Sequence, residues 1–98
     1  MPVTLINVFS VPQGKEDEFV KWWEAVKANI TKQPGFISGK FHKSTKPDSR
    51  FNFINVAQWE SEEIYWNAYE KSAAPMKAKL QQMGVEMTPA LYTIALEY

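Results

Sequence analysis

The stretch Phe51-Asn52-Phe53-Ile54-Asn55-Val56-Ala57-Gln58-Trp59 decides the fold that the sequence predicts. Its odd-numbered residues share one face of an extended chain and its even-numbered residues share the other. Both faces carry apolar groups, which is typical of a β-strand that is covered on both sides. Residues 36–45 alternate in the same way, and the turn residues 46–49 separate the two stretches. We therefore expect strands at 36–45 and 51–59 to form an antiparallel hairpin.

Outward from this hairpin, the pattern predicts two more strands, two helices and a short extra helix. A β-branched and aromatic run at 3–10 is one strand, and residues 90–98 are the last. Residues 15–32 carry an apolar stripe at helical spacing and end before Pro34-Gly35. A second helix follows the N-cap Ser61, and Pro75 predicts a fresh short helix after it. The order predicts one split βαββαβ domain over residues 1–98, an α+β fold with an antiparallel four-stranded sheet and helices on one face.

One face of the predicted sheet has no helix over it, although its strands carry apolar residues on both faces. A large exposed apolar face is unusual in a monomer. We therefore expect the face to be covered by a second copy in a homodimer, by a ligand, or by both. Aromatic residues make up 14% of the chain. This share favours a lined cavity or an aromatic interface.

Composition excludes several classes of function. The 98 residues hold 11 Lys+Arg, 11 Asp+Glu, one His and no Cys. Zero cysteines exclude disulfides and thiolate sites, and a zero net charge argues against nucleic-acid binding. No apolar run is long enough for a membrane span, and no signal-peptide pattern opens the chain, so we expect a cytoplasmic protein. One His and no glycine-rich phosphate loop lead us to expect no metal, flavin or other cofactor.

Three polar or amphipathic residues among apolar neighbours are the main site candidates. Asn55 and Trp59 lie on one face of the third strand, about 13 Å apart along it. Asn7 interrupts an apolar face of the first strand, next to Phe9. One interpretation is structural: the amides satisfy nearby backbone groups and Trp59 packs in a core or interface. The other is a cavity in which fixed polar groups orient a flat ligand between apolar walls.

Two further residues are weaker candidates. His42 is the one histidine of the chain, which makes it a candidate base, although a lone His is more often structural. Periodicity places it on the face of Phe36, Ser38 and Lys40. Tyr65 belongs to an aromatic group at helical spacing that is typical of a core but would also suit a pocket wall.

The chain resembles the antibiotic biosynthesis monooxygenase family over nearly its whole length. The residues that carry the resemblance are Leu5-Ile6-Asn7-Val8-Phe9, the Phe19 and Trp22-Trp23 helix, Gln33-Pro34-Gly35-Phe36-Ile37-Ser38, Phe41-His42-Lys43-Ser44 and Phe53 to Ser61. The resemblance implies a ferredoxin-like domain that pairs into a dimeric α/β-barrel.

The resemblance also implies a function for the site candidates. Cofactor-free oxygenases of the family use an Asn and a Trp four residues apart on the third strand, which Asn55 and Trp59 match. They would hold the substrate oxygen or the developing peroxide while O₂ oxidises a small phenol, quinol or anthrone. Apart from the resemblance, the split βαββαβ order makes the first and third strands neighbours, so we expect Asn7 and Phe9 to line the same cavity, between the sheet and its helices or on the open face. His42 and Tyr65 are further candidate substrate-binding residues.

Two other functions stay open at this point. The haem-degrading branch of the family needs an axial His on the helix after the third strand, and residues 60–98 contain none. This departure argues against haem degradation. The alternative to an oxygenase is a dimeric protein of the same fold that binds a small ligand without turnover.

Overall fold

Four antiparallel strands form one sheet, and two helices cover one of its faces. The computed structural model describes all 98 residues. The strands are β1 (Val3–Ser10), β2 (Phe36–Lys43), β3 (Phe53–Trp59) and β4 (Glu86–Tyr92), and the helices are α1 (Glu16–Ile30) and α2 (Glu62–Met83). The strand order β2-β3-β1-β4, with every pair antiparallel, confirms the predicted ferredoxin-like α+β fold.

The two central strands bring the polar candidates together. β1 has the predicted bounds and pairs with β3, so that Asn7 lies directly opposite Asn55 and Val3 lies opposite Trp59. Along both strands, the residues that face the helices are buried and those that face away are half-buried. The alternation in the sequence therefore separates the two faces of each strand correctly, and the structure shows that the face with Asn7, Asn55 and Trp59 lies toward the helices.

The face of β2 that carries His42 differs from the prediction at one position. A β-bulge between Phe36 and Ser38 adds one residue to β2, so Phe36 pairs with Trp59 on the helix-covered face. The remaining alternate residues, Ser38, Lys40 and His42, lie on the open face. The prediction that Phe36 lies on the same face as Ser38, Lys40 and His42 is wrong. The extra residue in the bulge reverses the alternation of faces between Phe36 and the rest of β2.

α2 runs through the proline that was expected to begin a new helix. Ser61 caps it as predicted, with its Oγ accepting a hydrogen bond from the N–H of Ile64 at 3.2 Å. Pro75 lies inside the helix and cannot donate to the carbonyl of Lys71. The helix continues because both halves are anchored in the core, by Tyr65 before Pro75 and by Leu80 after it.

The last strand lies earlier than the predicted 90–98. β4 pairs with β1 from Glu86 opposite Ser10 to Tyr92 opposite Thr4. Pro89 is tolerated because β4 is an edge strand, where a missing N–H breaks no second ladder. Residues 93–98 have no strand beside them because β1 begins at Val3, and Ile94 and Leu96 are 72% and 77% exposed.

The core is divided into two clusters along the sheet. The first surrounds Phe9 and joins β1 and β3 to α1 and the end of α2; its buried members are Phe9, Val11, Phe19, Trp23, Phe53, Leu80, Met83 and Val85. The second surrounds Trp59 and contains Val3, Leu5, Ala57, Trp59 and Tyr65. Asn7 and Asn55 lie on the sheet between them. Apolar packing is thus interrupted at the pair of opposed asparagines.

Candidate active site

A cavity of about 340 Å³ lies between the inner face of the sheet and the two helices. Its floor is formed by Asn7, Asn55 and Trp59, and its walls come from the C-terminal half of α1 and the middle of α2. The volume lies at the lower end of the range for small-molecule sites, about 300–1,000 Å³. Most of the lining residues are apolar or aromatic, which suits a flat ring system.

The two asparagines form the polar centre of the floor. Each is 6% exposed, and their Cα atoms are paired across β1 and β3. The Oδ1 atom of Asn7 is buried and accepts no hydrogen bond within the protein. Such an atom is uncommon in folded proteins, because leaving a buried acceptor unpaired costs about 1–3 kcal/mol. The structural interpretation, in which this amide satisfies a backbone group, is therefore not supported for Asn7.

Trp59 supplies an unpaired donor at one end of the same floor. Its side chain is 2% exposed, and its Nε1–H has no acceptor within the protein. The indole is held edge-on by Phe36 and Tyr65, with ring centroids 5.4 Å away in both cases. Packing fixes the ring, while its one polar group has no partner within the protein.

Tyr65 also lines the cavity, from the first turns of α2. Burial raises the pKa of its phenol well above the usual range, and the neighbouring Tyr69 adds to the rise. The group is therefore an un-ionised phenol at neutral pH. Tyr65 can donate a hydrogen bond to a ligand, but it does not act as a base there.

Two of the predicted site residues lie outside the cavity. Phe9 is on the expected face of β1, but it is fully buried in the first core cluster against Phe19 and Trp23. His42 pairs with Ile54 on the open face of the sheet, so the sheet separates it from the cavity. His42 therefore does not line this cavity, because strand alternation turns it to the other side of the sheet.

A polar rim surrounds the mouth of the cavity, and it was not predicted from the sequence. Asn29 contributes to it from the last turn of α1 and Gln33 from the turn after α1, and Lys71 and Ser72 contribute from α2. These residues look like an ordinary solvated helix surface in the sequence. No local pattern shows that the end of α1 and the middle of α2 face each other across an opening.

A third buried asparagine, also missed, has a structural role. The side chain of Asn52 accepts a hydrogen bond from the N–H of Val11 and donates one to its carbonyl, both at 2.9 Å. This pair of bonds ties the end of β1 to the loop before β3. Asn52 therefore provides a matched contrast to Asn7, whose Oδ1 has no such partner.

We expect Asn52→Ala to lower the free energy of unfolding by about 2–4 kcal/mol, because both polar groups of Val11 lose their partner in a buried place. Asn7→Ala should change it by less than about 1 kcal/mol, since it removes an unpaired acceptor. Urea unfolding followed by Trp fluorescence measures both values. An equal loss in the two variants would show that Asn7 is structural and not a ligand-binding group.

The structure contains no group of three or more His, Cys, Asp or Glu side chains arranged to hold a metal ion. Neither helix combines the length and the apolar character needed to cross a membrane.

Comparison with known proteins places the chain in a family. Residues 2–79 match the family model of antibiotic biosynthesis monooxygenases. A proposed monooxygenase from Shewanella loihica PV-4 is 34% identical, with a TM-score of 0.85 over 98% of this chain and 96% of that one.

Two more distant structures share the fold. SnoaB, a cofactor-independent oxygenase from Streptomyces nogalater, is 23% identical, with a TM-score of 0.79 over 98% of this chain and 95% of that chain. A haem-degrading protein from Mycobacterium tuberculosis is 22% identical, with a TM-score of 0.66 over 100% and 99% of the respective chains. No curated protein matches. On the strength of the family match over residues 2–79, the chain belongs to the antibiotic biosynthesis monooxygenase family.

Proposed function

We propose that the protein is a cofactor-independent monooxygenase that oxidises a flat aromatic phenol, quinol or anthrone with O₂. The observation that carries the proposal is a cavity lined by two residues with unpaired buried polar atoms. Asn7 Oδ1 is an acceptor without a donor, and Trp59 Nε1 is a donor without an acceptor. Aromatic hydroxyl and keto oxygens supply both kinds of partner, and their rings match the apolar walls.

The proposed reaction needs only the substrate and O₂. The substrate loses a proton to become a phenolate or carbanion, which passes electrons to O₂ as a carbon–oxygen bond forms. The O–O bond of the resulting peroxide then breaks while the same carbon loses its remaining hydrogen. For an anthrone, a CH₂ group becomes C=O, one oxygen atom enters the product, and the other leaves as water.

In this proposal the protein acts mainly by positioning and by stabilising negative charge. Trp59 donates to the substrate oxygen that becomes anionic, Asn55 to the developing peroxide, and Tyr65 adds a neutral donor. Asn7 accepts a hydrogen bond from a substrate hydroxyl. With His42 on the other side of the sheet, the first proton leaves through the mouth of the cavity to solvent. The apolar walls exclude water from the reacting anion.

Oxygen consumption tests this function directly. An oxygen electrode follows purified protein with a panel of quinols, naphthols and hydroxyanthrones, corrected for autoxidation without protein. We expect at least one class to be consumed faster than its background, with one O₂ used per molecule of quinone formed. Binding of the panel without any consumption above background would contradict the proposal.

The second candidate is a small-ligand-binding protein without turnover. One observation favours it: the cavity lining contains no Asp, Glu or His that would serve as a general base. The same oxygen measurement separates the two candidates, because a binding protein would hold the aromatic and leave O₂ untouched. Haem degradation is disfavoured because the one His of the chain, His42, lies on the opposite sheet face.

We further propose that the protein is a homodimer in which the open sheet faces of two copies pack together. This face carries half-buried apolar side chains from the two central strands: Ile6, Val8, Ile54 and Val56. The apolar residues of the segment 93–98 lie exposed beyond its edge. Both features are typical of a surface that is buried by a partner.

A single charge on the open face should separate the copies. We expect Val56→Glu to convert the dimer to a monomer, since pairing the faces would bury two unpaired carboxylates. Sedimentation velocity at micromolar concentration gives the mass, and Gln82→Glu on the exposed surface of α2 is the control with the same charge change. A wild-type protein that sediments as a monomer would contradict the proposed dimer.

A further inference from the structure

The two ends of the cavity differ in chemistry. Asn7 and Trp59, on the floor, carry unpaired polar atoms but no charge. Lys71, an exposed residue of α2, is the one charged residue among those that line the cavity, and we place it at the open end, the mouth. A ligand that fills the cavity from floor to mouth would therefore meet neutral hydrogen-bonding groups at one end and a cation at the other.

Lys71 has no partner within its own chain. The positions three and four residues away on α2 are Asn67, Ala68, Ala74 and Pro75, so no carboxylate faces it along the helix. The one ion pair in the structure joins Lys15 to Glu18, which lie elsewhere. The ammonium group is thus free to pair with a ligand at the mouth.

The other polar groups around the mouth are uncharged. Asn29 in the last turn of α1 and Gln33 in the turn that follows α1 add carboxamides. The Ser72 hydroxyl already donates to carbonyls of its own helix, those of Ala68 and Tyr69, at 3.4 Å each. One cation with neutral donors around it matches a group of a single negative charge, such as a carboxylate, better than a doubly charged phosphate.

We propose that Lys71 is a specificity-determining residue, and that the aromatic substrate carries a carboxylate at the end opposite its reacting oxygen. The hydroxyl or keto end enters first and reaches Asn7 and Trp59, while the carboxylate stays at the mouth beside Lys71. This inference rests on the proposed function only in that a flat aromatic occupies the cavity. It fixes the direction in which the ring system enters.

Binding of a matched pair of probes tests the inference without any turnover. The pair is 6-hydroxy-2-naphthoate and its methyl ester, which share the ring and the hydroxyl but differ in charge. Isothermal titration calorimetry at low salt is run on wild type, Lys71→Met, Lys71→Arg and the control Lys77→Met. Lys77 is an exposed residue of α2 outside the cavity, and its replacement removes the same charge.

We expect wild type to bind the acid about fivefold more tightly than the ester, as one partly exposed ion pair allows. Lys71→Met should abolish this preference and leave ester binding within about twofold. Lys71→Arg and Lys77→Met should keep the preference, and added salt should weaken it.

Two results would overturn this inference without affecting the proposed oxygenase function. One is equal binding of acid and ester to wild type, and the other is a preference for the acid that survives Lys71→Met. Neither result bears on whether O₂ is consumed. If neither probe binds to wild type, the inference fails together with the proposed aromatic ligand. If the preference depends on Lys71 but no aromatic supports oxygen consumption, the inference holds and the proposed oxygenase activity fails.

Discussion

Trp59→Phe and Asn55→Ala should each lower the rate of substrate-dependent oxygen consumption at least about tenfold. Each change removes a donor from the floor of the cavity, at the place where we assign negative charge to the substrate oxygen or the peroxide. Loss of one such donor in other enzymes costs about 100- to 1,000-fold when the charge is fully developed. Initial rates with the best substrate of the quinol and anthrone panel measure the effect.

The chain offers matched controls for both substitutions. Trp66→Phe and Asn67→Ala make the same chemical changes on α2, at positions outside the cavity lining. Both control variants should turn over within about twofold of wild type, and the proposed dimer should persist in all four variants. Wild-type rates in Trp59→Phe and Asn55→Ala would show that the site is wrongly assigned. Unfolding or dissociation of these two would instead support a structural role for both residues.

Gly35→Ala should have the largest effect on stability, lowering the free energy of unfolding by about 3–5 kcal/mol. Gly35 has a φ of +85°, which side chains rarely adopt, and an added Cβ would overlap Cγ2 of Ile64 at the start of α2. Its carbonyl also accepts a hydrogen bond from Glu60 N–H at 2.9 Å, so this turn cannot move freely. A domain of this size is commonly stable by about 5–15 kcal/mol.

Gly14→Ala is the control for the backbone contribution. Gly14 has a similar φ of +90°, but nothing lies within 4 Å of the added Cβ. We expect it to cost about 1–2 kcal/mol from backbone strain alone. Thermal and urea unfolding compare the two variants. Equal losses would mean that Ile64 moves aside at no cost and that the packing of α2 on this turn is not rigid.

The fold was predictable because its signals are local. The alternation at 3–10 and 51–59 and the helical stripe after Pro12-Gln13-Gly14 each fit within one element. Strand alternation also placed Asn55 and Trp59 on one face, and the order of elements made β1 and β3 neighbours. These steps require no knowledge of side-chain contacts.

The errors in the fold arise where tertiary contacts override a local signal. The bulge at Phe36 and Ser38 reverses one face of β2, and nothing in the sequence marks it. Pro75 favours a break in α2, but the core contacts on both sides of it hold the helix together. β4 ends at Tyr92 because β1 offers no further partner, a limit that is set by another strand.

The site was predictable only in part, because tertiary contacts decide which side chains line the cavity. The sequence indicated Asn7, Asn55 and Trp59 as polar or amphipathic groups on apolar faces. It could not show which asparagine is satisfied: Asn52 bonds to Val11, whereas Asn7 leaves its Oδ1 unpaired. Phe9 shares a face with Asn7, but it is buried in the core against Phe19 and Trp23 of α1. Lys71 reaches the mouth only because the two helices face each other there.

We propose that the chain oxidises an aromatic ring with O₂ and without a cofactor, and isotope labelling follows the oxygen atoms of this reaction. Chelator-treated protein is given ¹⁸O₂ and a set of hydroxyanthrones, with and without a carboxylate, and the quinone product is analysed by mass spectrometry against a protein-free blank. We predict one ¹⁸O atom at the new carbonyl, a rate unaffected by the chelator, and loss of the rate above background in Trp59→Phe. Quinone formed no faster than in the blank, or a rate that returns only with added metal or flavin, would contradict the account.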